Sequence, residues 1–259
     1  MPGSSTRAAR RKYGFWYRLA AAIGKPPLFL LTRRDWRGME NFPATGGFIT
    51  AVNHNSYLDP LVYGHYQYDS GRPARFLGKA GVFKVPVIGR ILHGAGQIPV
   101  YRGSADASNA FRAAVDAVNR GECVAFYPEG TLTRDPDFWP MTAKTGAARV
   151  ALMTGAPVIP VAQWGAHEII PRYAKGGRGD RRFQPFPRHT VHVLAGPPVD
   201  LSAFEGKPLT AAVLREATEV IMDAITALLE ELRGEKAPPV RFDVQRAAAE
   251  QRKEREAGR

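Results

Sequence analysis

A histidine and an aspartate lie five residues apart in the stretch AVNHNSYLDP, at residues 51–60. On a straight α-helix, five residues turn through about 500°, which leaves the two side chains roughly 140° apart and unable to meet. The intervening residues must therefore include a turn, and Asn55 and Ser56 are good turn and helix-cap residues. We expect His54 to lie in a loop and Asp59 to lie in the first turn of a helix.

In that arrangement the carboxylate of Asp59 could hold one imidazole nitrogen of His54. The other nitrogen would stay free to accept a proton, as in the His–Asp pair of a hydrolase or a transferase. The spacing is not specific by itself, so a turn that happens to contain both residues is the alternative. A serine hydrolase is the obvious rival class of enzyme, but the chain contains no G-x-S-x-G motif.

Other kinds of site find little support in the sequence. The chain has no Walker loop and no dinucleotide-binding fingerprint, and its remaining histidines show no metal-ligand spacing. We therefore predict neither a metal nor a cofactor. The lone Cys123 lies in the apolar run CVAF, which favours a small buried hydrophobic side chain in a reducing compartment.

The positive charge of the chain is concentrated at its N-terminus. Residues 1–38 carry nine Lys and Arg residues against Asp35 alone, so this segment holds +8 of the net charge of +12. Such a block favours a polyanionic partner, either nucleic acid or an anionic membrane surface. The interleaved aromatic residues of YGFWYRLAAAIGKPPLFLL are typical of a membrane interface.

The same segment is not expected to cross a bilayer. Arg18, Lys25 and the pair Pro26–Pro27 prevent any apolar run of about 18 residues, and the apolar core is also short for a signal peptide. We interpret residues 1–38 as a basic amphipathic segment that associates with a membrane. The alternative is an amphipathic helix that packs on its own domain, and the two interpretations are compatible.

After the basic segment, strand and helix patterns alternate. The predicted strands are GFITAVNH, ARFLGK, QIPVYR, CVAFYP, PVIPVAQW and TVHVLAG, and the predicted helices are VPVIGRILHGAG, residues 106–120, GAARVALMTG and residues 209–232. This order predicts an α/β fold with a mostly parallel central sheet flanked by helices. We assign residues 39–234 to the main domain and residues 235–259 to a charged C-terminal tail without a core of its own.

Four short stretches occur along the chain in this order: NHNSYLD, GQIPVYR, YPEGTLT and VIPVAQWG. This set resembles the four motif blocks of the glycerolipid acyltransferases, the 1-acylglycerol-3-phosphate O-acyltransferase or lysophospholipid acyltransferase family. The resemblance covers roughly residues 40–200 and makes residues 39–234 an acyltransferase domain.

The resemblance implies a reaction in phospholipid biosynthesis. The family moves a fatty acyl group from a thioester, on coenzyme A or acyl carrier protein, to a hydroxyl of a phosphate-bearing glycerol acceptor. The implied acceptor is lysophosphatidic acid, and the alternatives are glycerol 3-phosphate, a lysophospholipid or a glycolipid. By resemblance His54 is the general base and Asp59 orients it. Histidine suits this role because the ordinary pKa of an imidazole is about 6.5. A thioester is already activated, so the absence of a serine nucleophile is expected.

The resemblance also implies the residues that bind the acceptor. Arg102 matches the phosphate-contacting arginine of the family, and phosphate recognition favours arginine. Glu129 and Gly130 match the PEG of the third block. Glu129 would accept a hydrogen bond from a glycerol hydroxyl or anchor Arg102, and Thr131 would donate a hydrogen bond to phosphate.

One position departs from the family pattern. The family usually has an arginine two places after that glycine, where this chain has Leu132. Either Arg134 takes over the contact or the acceptor lacks it. Lys79 and Lys144 resemble secondary anion contacts, and plain surface lysines are the alternative.

The partners that follow are an acyl thioester donor, a glycerol-phosphate lipid and an anionic membrane surface, with no nucleic acid. The expected location is the cytoplasmic face of the cell membrane, as a peripheral or monotopic protein. A membrane- or nucleic-acid-binding protein without enzymatic activity remains the alternative from another class.

Overall fold

A computed structural model describes residues 13–101, 107–171 and 183–257 of the chain. Within these residues, the strands form one seven-stranded sheet in the order β1-β7-β6-β2-β5-β3-β4. Their bounds are β1 Thr32–Arg37, β2 Phe48–Val52, β3 Ala74–Lys79, β4 Ile98–Val100, β5 Cys123–Phe126, β6 Val158–Trp164 and β7 His189–Ala195. Neighbouring strands are parallel except for the antiparallel pair β6 and β7. The predicted α/β fold with a mostly parallel sheet is confirmed.

Helices cover both faces of this sheet. Their bounds are α1 Phe15–Leu31, α2 Asp59–Ser70, α3 Ala80–Phe83, α4 Ile88–Gly94, α5 Ala107–Asn119, α6 Gly146–Thr154, α7 Ala166–Ile169, α8 Ala211–Arg233 and α9 Val244–Ala257. One core lies between the sheet and α5, α6 and α8, and a second lies between the opposite face and α2. All five residues of β2 are buried, because this central strand is covered on both faces.

The central strand β5 contains the single cysteine. Cys123 is buried and free, and burial raises the pKa of its thiol to about 12. A thiol that stays protonated in an apolar core is a small hydrophobic side chain, as the apolar run predicts.

The helix predicted at residues 209–232 is α8. It begins after Thr210, whose side chain accepts a hydrogen bond from the N–H of Val213, and it ends at Gly234 in the left-handed conformation. The buried residues Leu214, Ala217, Ile221, Ile225 and Leu229 recur every three or four positions. This spacing places one face of the helix on the sheet, as the periodicity predicts.

The basic N-terminal segment contains two different elements. Helix α1 packs on the rest of the domain, since the Trp16 ring lies directly over Gly94 of α4 and Leu28 is buried. Residues 32–37 then form the edge strand β1, paired in parallel with β7. The predicted boundary at residue 38 therefore follows a strand that belongs to the sheet. Residues 1–12 lie outside the described part of the chain.

Residues 235–257 run back along the domain. Arg241 forms ion pairs with Glu219 and Asp223 of α8, and the carbonyl of Phe242 accepts a hydrogen bond from the N–H of Thr142 at 3.0 Å. Helix α9 follows. In the described ranges, no helix combines the length and the apolar composition needed to cross a membrane.

Candidate active site

The loop between β2 and α2 brings the predicted His–Asp pair together. The His54 Nδ1 lies 3.0 Å from Oδ2 of Asp59, and Asp59 is the first residue of α2. The same oxygen accepts hydrogen bonds from the backbone N–H groups of Asn55 and Ser56. One buried carboxylate therefore folds the loop back on itself and holds the imidazole, which confirms the predicted turn.

This contact fixes what each ring nitrogen of His54 can do. An ionised carboxylate only accepts hydrogen bonds, so the Nδ1 of a neutral His54 carries the proton in this arrangement. The Nε2 then keeps its lone pair. The side chain is partly exposed and lines a cavity, while Asp59 is buried behind it. The pair has the geometry of a general base with an orienting carboxylate.

Glu129 braces the same loop from the other side. Its Oε1 accepts a hydrogen bond from the N–H of His54 at 3.1 Å, and its Oε2 accepts one from the N–H of Met141 at 3.0 Å. The carboxyl is buried, and this burial raises its pKa to about 8 despite the two donors. The resemblance to the acyltransferases implies that Glu129 binds the acceptor or anchors Arg102. In the structure both oxygens bind backbone N–H groups instead, and the side chain does not line the cavity.

The backbone carbonyl of His54 is held as firmly as its N–H. It accepts a hydrogen bond from the N–H of Thr133 at 2.8 Å, and the hydroxyl of Thr133 donates to the carbonyl of Trp139 at 2.7 Å. The ring of Tyr127 stacks on the imidazole, with centroids 4.2 Å apart. The stretch YPEGTLT therefore contacts His54 through three different residues.

A second brace joins β2 to β6. Asn53 and Gln163 exchange three buried hydrogen bonds of 2.8–3.0 Å between side chains and backbone. Sequence reasoning missed this pair, as it missed Tyr127. Asn53 directly follows the apolar strand β2, and a buried polar residue there needs a hydrogen-bond partner. This position could have indicated such a pair from the sequence.

A cavity of about 1310 Å³ opens in front of His54. Apolar side chains from several elements line its depth, among them Leu28 of α1, Leu61 of α2, Phe76 and Leu77 of β3, and Leu92 of α4. The predicted residues His54, Lys79, Gly130, Thr131, Arg134 and Lys144 line it as well. Adjacent parallel strands end at one edge of the sheet, which explains why side chains so distant in sequence share one cavity.

Gly130 permits a close approach within this cavity. Its φ is +68°, and a Cβ at this position would lie 3.1 Å from Nζ of Lys144. The backbone N–H of Lys144 donates to the carbonyl of Pro128 at 2.9 Å. The glycine therefore permits both the left-handed backbone of this turn and the close passage of the Lys144 side chain.

The remaining predicted residues have different surroundings. Leu132, at the position that departs from the family pattern, is buried, whereas Arg134 is exposed at the cavity. Arg102 lies outside the described residues. In the part of the chain that the structure describes, no group of three or more His, Cys, Asp or Glu side chains could hold a metal ion.

The chain belongs to the acyltransferase family. The family model described as Acyltransferase matches residues 33–164, just over half of the chain, which confirms the resemblance carried by the four motif blocks.

Several curated relatives have more specific names. A chloroplastic 1-acyl-sn-glycerol-3-phosphate acyltransferase from Brassica napus is 32% identical over 180 residues, which are 68% of this chain and 50% of that protein. A protein of the same name from Arabidopsis thaliana is 30% identical over 64% of this chain and 45% of its own length. One from Bacillus subtilis is 28% identical over 53% of this chain and 65% of its own length. The chain spans about half the length of the two plant relatives.

The fold has a match among solved structures. The 1-acyl-sn-glycerophosphate acyltransferase of Thermotoga maritima superimposes with a TM-score of 0.59 over 86% of this chain and 81% of that one. The two sequences are 23% identical over this match, so the comparison shows a shared fold.

The buried carboxyl of Glu129 predicts a pH dependence of stability. The folded protein keeps this proton up to about pH 8, whereas an ordinary glutamate loses it near 4.5. Between these values the unfolded chain releases a proton that the folded chain holds, so stability falls as pH rises. We expect Glu129→Gln to lose less Tm than wild type between pH 5 and pH 8.

Glu205→Gln, which changes an exposed glutamate, is the control. Between pH 5 and pH 8, its Tm should change as that of wild type does. A Glu129→Gln profile parallel to that of wild type would show that Glu129 ionises with its ordinary pKa.

Proposed function

We propose that this protein transfers a fatty acyl group from an acyl thioester to the free hydroxyl of 1-acylglycerol 3-phosphate, giving phosphatidic acid. The observation that carries the proposal is the His54–Asp59 pair at the wall of a largely apolar cavity. Among the described residues, four cationic side chains also line this cavity, those of Lys25, Lys79, Arg134 and Lys144. The names of the curated relatives support the choice of acceptor.

In this reaction His54 acts as the general base. Its Nε2 takes the hydroxyl proton while the hydroxyl oxygen attacks the thioester carbonyl carbon. The tetrahedral intermediate collapses, the C–S bond breaks, and the departing sulfur takes the proton back from the imidazolium. Asp59 stabilises that imidazolium and keeps Nε2 directed at the cavity. Atoms and charge balance without a covalent enzyme intermediate.

The cavity offers two chemically different regions to the substrates. The apolar side chains of α1, α2 and β3 suit an acyl chain, whose burial contributes about 0.8 kcal/mol per methylene. Lys79, Lys144 and Arg134 suit the phosphate of the acceptor. Thr131 would donate a further hydrogen bond, and Arg102 is proposed to join this group by resemblance.

The donor carrier and the acceptor have close alternatives. Coenzyme A and acyl carrier protein both present the same thioester. Because Leu132 replaces an arginine, glycerol 3-phosphate, a lysophospholipid or a glycolipid remains the second choice of acceptor with the same chemistry.

The reaction is tested by thiol release from palmitoyl-CoA and from a palmitoylated carrier protein with wild type and His54→Ala. Each donor is offered lysophosphatidic acid, glycerol 3-phosphate, a lysophospholipid or no acceptor. We expect wild-type release that depends on lysophosphatidic acid and falls by at least about a hundredfold in His54→Ala, since general-base catalysis contributes 10²- to 10⁴-fold.

Release without any acceptor would identify a thioesterase, and equal rates in wild type and His54→Ala would exclude His54 as the base. If neither donor releases thiol, a protein that only binds membranes or nucleic acid becomes the better interpretation.

Arg134 provides a test of phosphate recognition. We expect Arg134→Met to raise the KM for lysophosphatidic acid by about tenfold, because a hydrogen bond to a charged group is worth about 1.5–3 kcal/mol. The KM for the thioester donor should stay within about twofold of wild type. The exposed Arg215→Met on α8 removes one positive charge elsewhere, and its acceptor KM should be that of wild type. Equal acceptor KM values in all three proteins would place the phosphate elsewhere.

We further propose that the N-terminal segment binds an anionic membrane, at the cytoplasmic face of the cell membrane. Helix α1 lines the cavity on one side, yet Phe15, Ile23 and Leu30 are each more than half exposed. Val87 and Ile88 are exposed at the start of the neighbouring helix α4. Cations and exposed apolar side chains on one helix favour a lipid interface over nucleic acid. Residues 39–234 remain the proposed acyltransferase domain, and residues 235–259 remain the proposed tail.

Flotation with anionic liposomes tests this surface. Deleting residues 1–38 would also remove strand β1, so we choose the double variant Ile23→Ser, Leu30→Ser. We expect its partition coefficient to fall by at least about tenfold, because each lost side chain contributes about 1.5–3 kcal/mol when fully buried. The exposed Val240→Ser should float like wild type. Unchanged flotation of the double variant would exclude α1 as the contact, and salt-sensitive DNA binding without a lipid preference would favour nucleic acid.

A further inference from the structure

Arg233, the last residue of α8, lies between two tryptophan rings. Its guanidinium carbon is 3.9 Å from the centroid of Trp139 and 4.4 Å from that of Trp164. One terminal nitrogen donates to the carbonyl of Asp137 at 2.7 Å, and the other pairs with Glu235. The side chain is only 8% exposed. A cation that is stacked on aromatic faces and shielded from water is attracted to the rings more strongly than one at the surface.

The rings that enclose Arg233 are themselves fixed. Trp139 is buried against Ala162 of β6 and Leu229 of α8. Trp164 contacts the rings of Phe138 and His167, with centroids 6.2 Å and 4.2 Å away. Arg233 therefore joins the end of α8 to residues 137–139, a stretch without helix or strand that depends on such side-chain contacts for its position.

Residues 139 and 141 are the two that support the braces of His54. The carbonyl of Trp139 accepts the hydroxyl proton of Thr133, whose N–H donates to the carbonyl of His54. Two residues further on, the N–H of Met141 donates to Glu129, whose other oxygen accepts the N–H of His54. The carbonyl of His54 is thus one side chain away from the segment that Arg233 contacts, and its N–H is one side chain away from Met141, two residues beyond that segment.

We propose that Arg233 is a positioning residue for the catalytic base. The guanidinium stacks on Trp139 and binds the carbonyl of Asp137, so it helps to hold residues 137–139. The carbonyl of Trp139 then holds Thr133, which binds the carbonyl of His54. Met141, two residues further on, holds Glu129, which binds the N–H of His54. The cavity does not include Arg233, so the residue acts without touching substrate. A displacement of His54 by about 1 Å is sufficient to cost about a hundredfold in rate.

This role differs from a contribution to stability alone. A residue that only stabilises the fold would lower Tm and leave the kcat of the folded enzyme unchanged. A positioning residue lowers kcat in protein that is fully folded, and it leaves KM nearly constant, because the cations and apolar walls that bind substrate lie elsewhere.

The kinetic test rests on the proposed acyl transfer and compares Arg233→Met, Arg233→Lys and Arg215→Met in the full chain. Methionine keeps an apolar side chain between the rings but removes the charge and the donors. We expect Arg233→Met to lose at least about tenfold in kcat, with KM for both substrates within about twofold of wild type. Lysine keeps the charge without the planar fork, so Arg233→Lys should lie between Arg233→Met and wild type. Arg215→Met, an exposed residue of the same helix, should match wild type.

A second readout does not depend on activity. The Nδ1–H proton of His54 gives an NMR signal that is identified by its loss in His54→Ala and that reports the hydrogen bond to Asp59. We expect this signal to shift or broaden in Arg233→Met and to stay unchanged in Arg215→Met.

Wild-type kcat together with a wild-type His54 signal in folded Arg233→Met would overturn the proposal. If that variant does not fold, Arg233→Lys decides in the same way. If wild type itself transfers no acyl group, the proposed function fails, and the NMR comparison still tests the link from Arg233 to His54.

Discussion

The arrangement around the candidate site depends on one buried carboxyl group that joins two distant stretches of backbone. Glu129 accepts the N–H of His54 with one oxygen and the N–H of Met141 with the other. Burial of an acidic group is costly, and here it raises the pKa to about 8. Two hydrogen bonds offset this cost, because without Glu129 the N–H groups of His54 and Met141 would lose their partner. The loop that presents the imidazole is therefore held by contacts from outside it as well as by Asp59.

The sheet makes this arrangement possible. Strands β2, β3 and β5 are parallel neighbours, so the loops that leave them share one edge. His54 follows β2, the stretch with Glu129 and Gly130 follows β5, and Lys79 ends β3. Basic residues and a glycine that are far apart in sequence thereby reach one cavity, while Glu129 lies behind it. The apolar wall comes from β3 and from helices that pack beside this edge. The imidazole with its carboxylate and most of the apolar wall therefore lie on separate elements of one fold.

The sequence was informative where local geometry decides the outcome. The turn between His54 and Asp59 follows from helix geometry alone, and the alternating strand and helix patterns predict the sheet. Contacts between distant residues could not be predicted in this way. Glu129 matches a binding motif, yet its oxygens meet backbone groups at 54 and 141, a pairing that exists only after folding. The charge pattern also did not reveal the strand within residues 1–38, because Arg33 and Arg37 lie on the edge strand β1, where exposed charged side chains are common.

Strand β1 has a consequence for the order in which the chain folds. It ends at residue 37, and its partner β7 spans residues 189–195, so the two are separated by most of the domain. Such a pairing closes a very long loop and forms slowly. During synthesis, the edge of the sheet cannot be completed until β7 has been made, and until then α1 lacks the attachment that β1 gives it. Helix α1 is thus synthesised well before the strand that completes its attachment to the sheet.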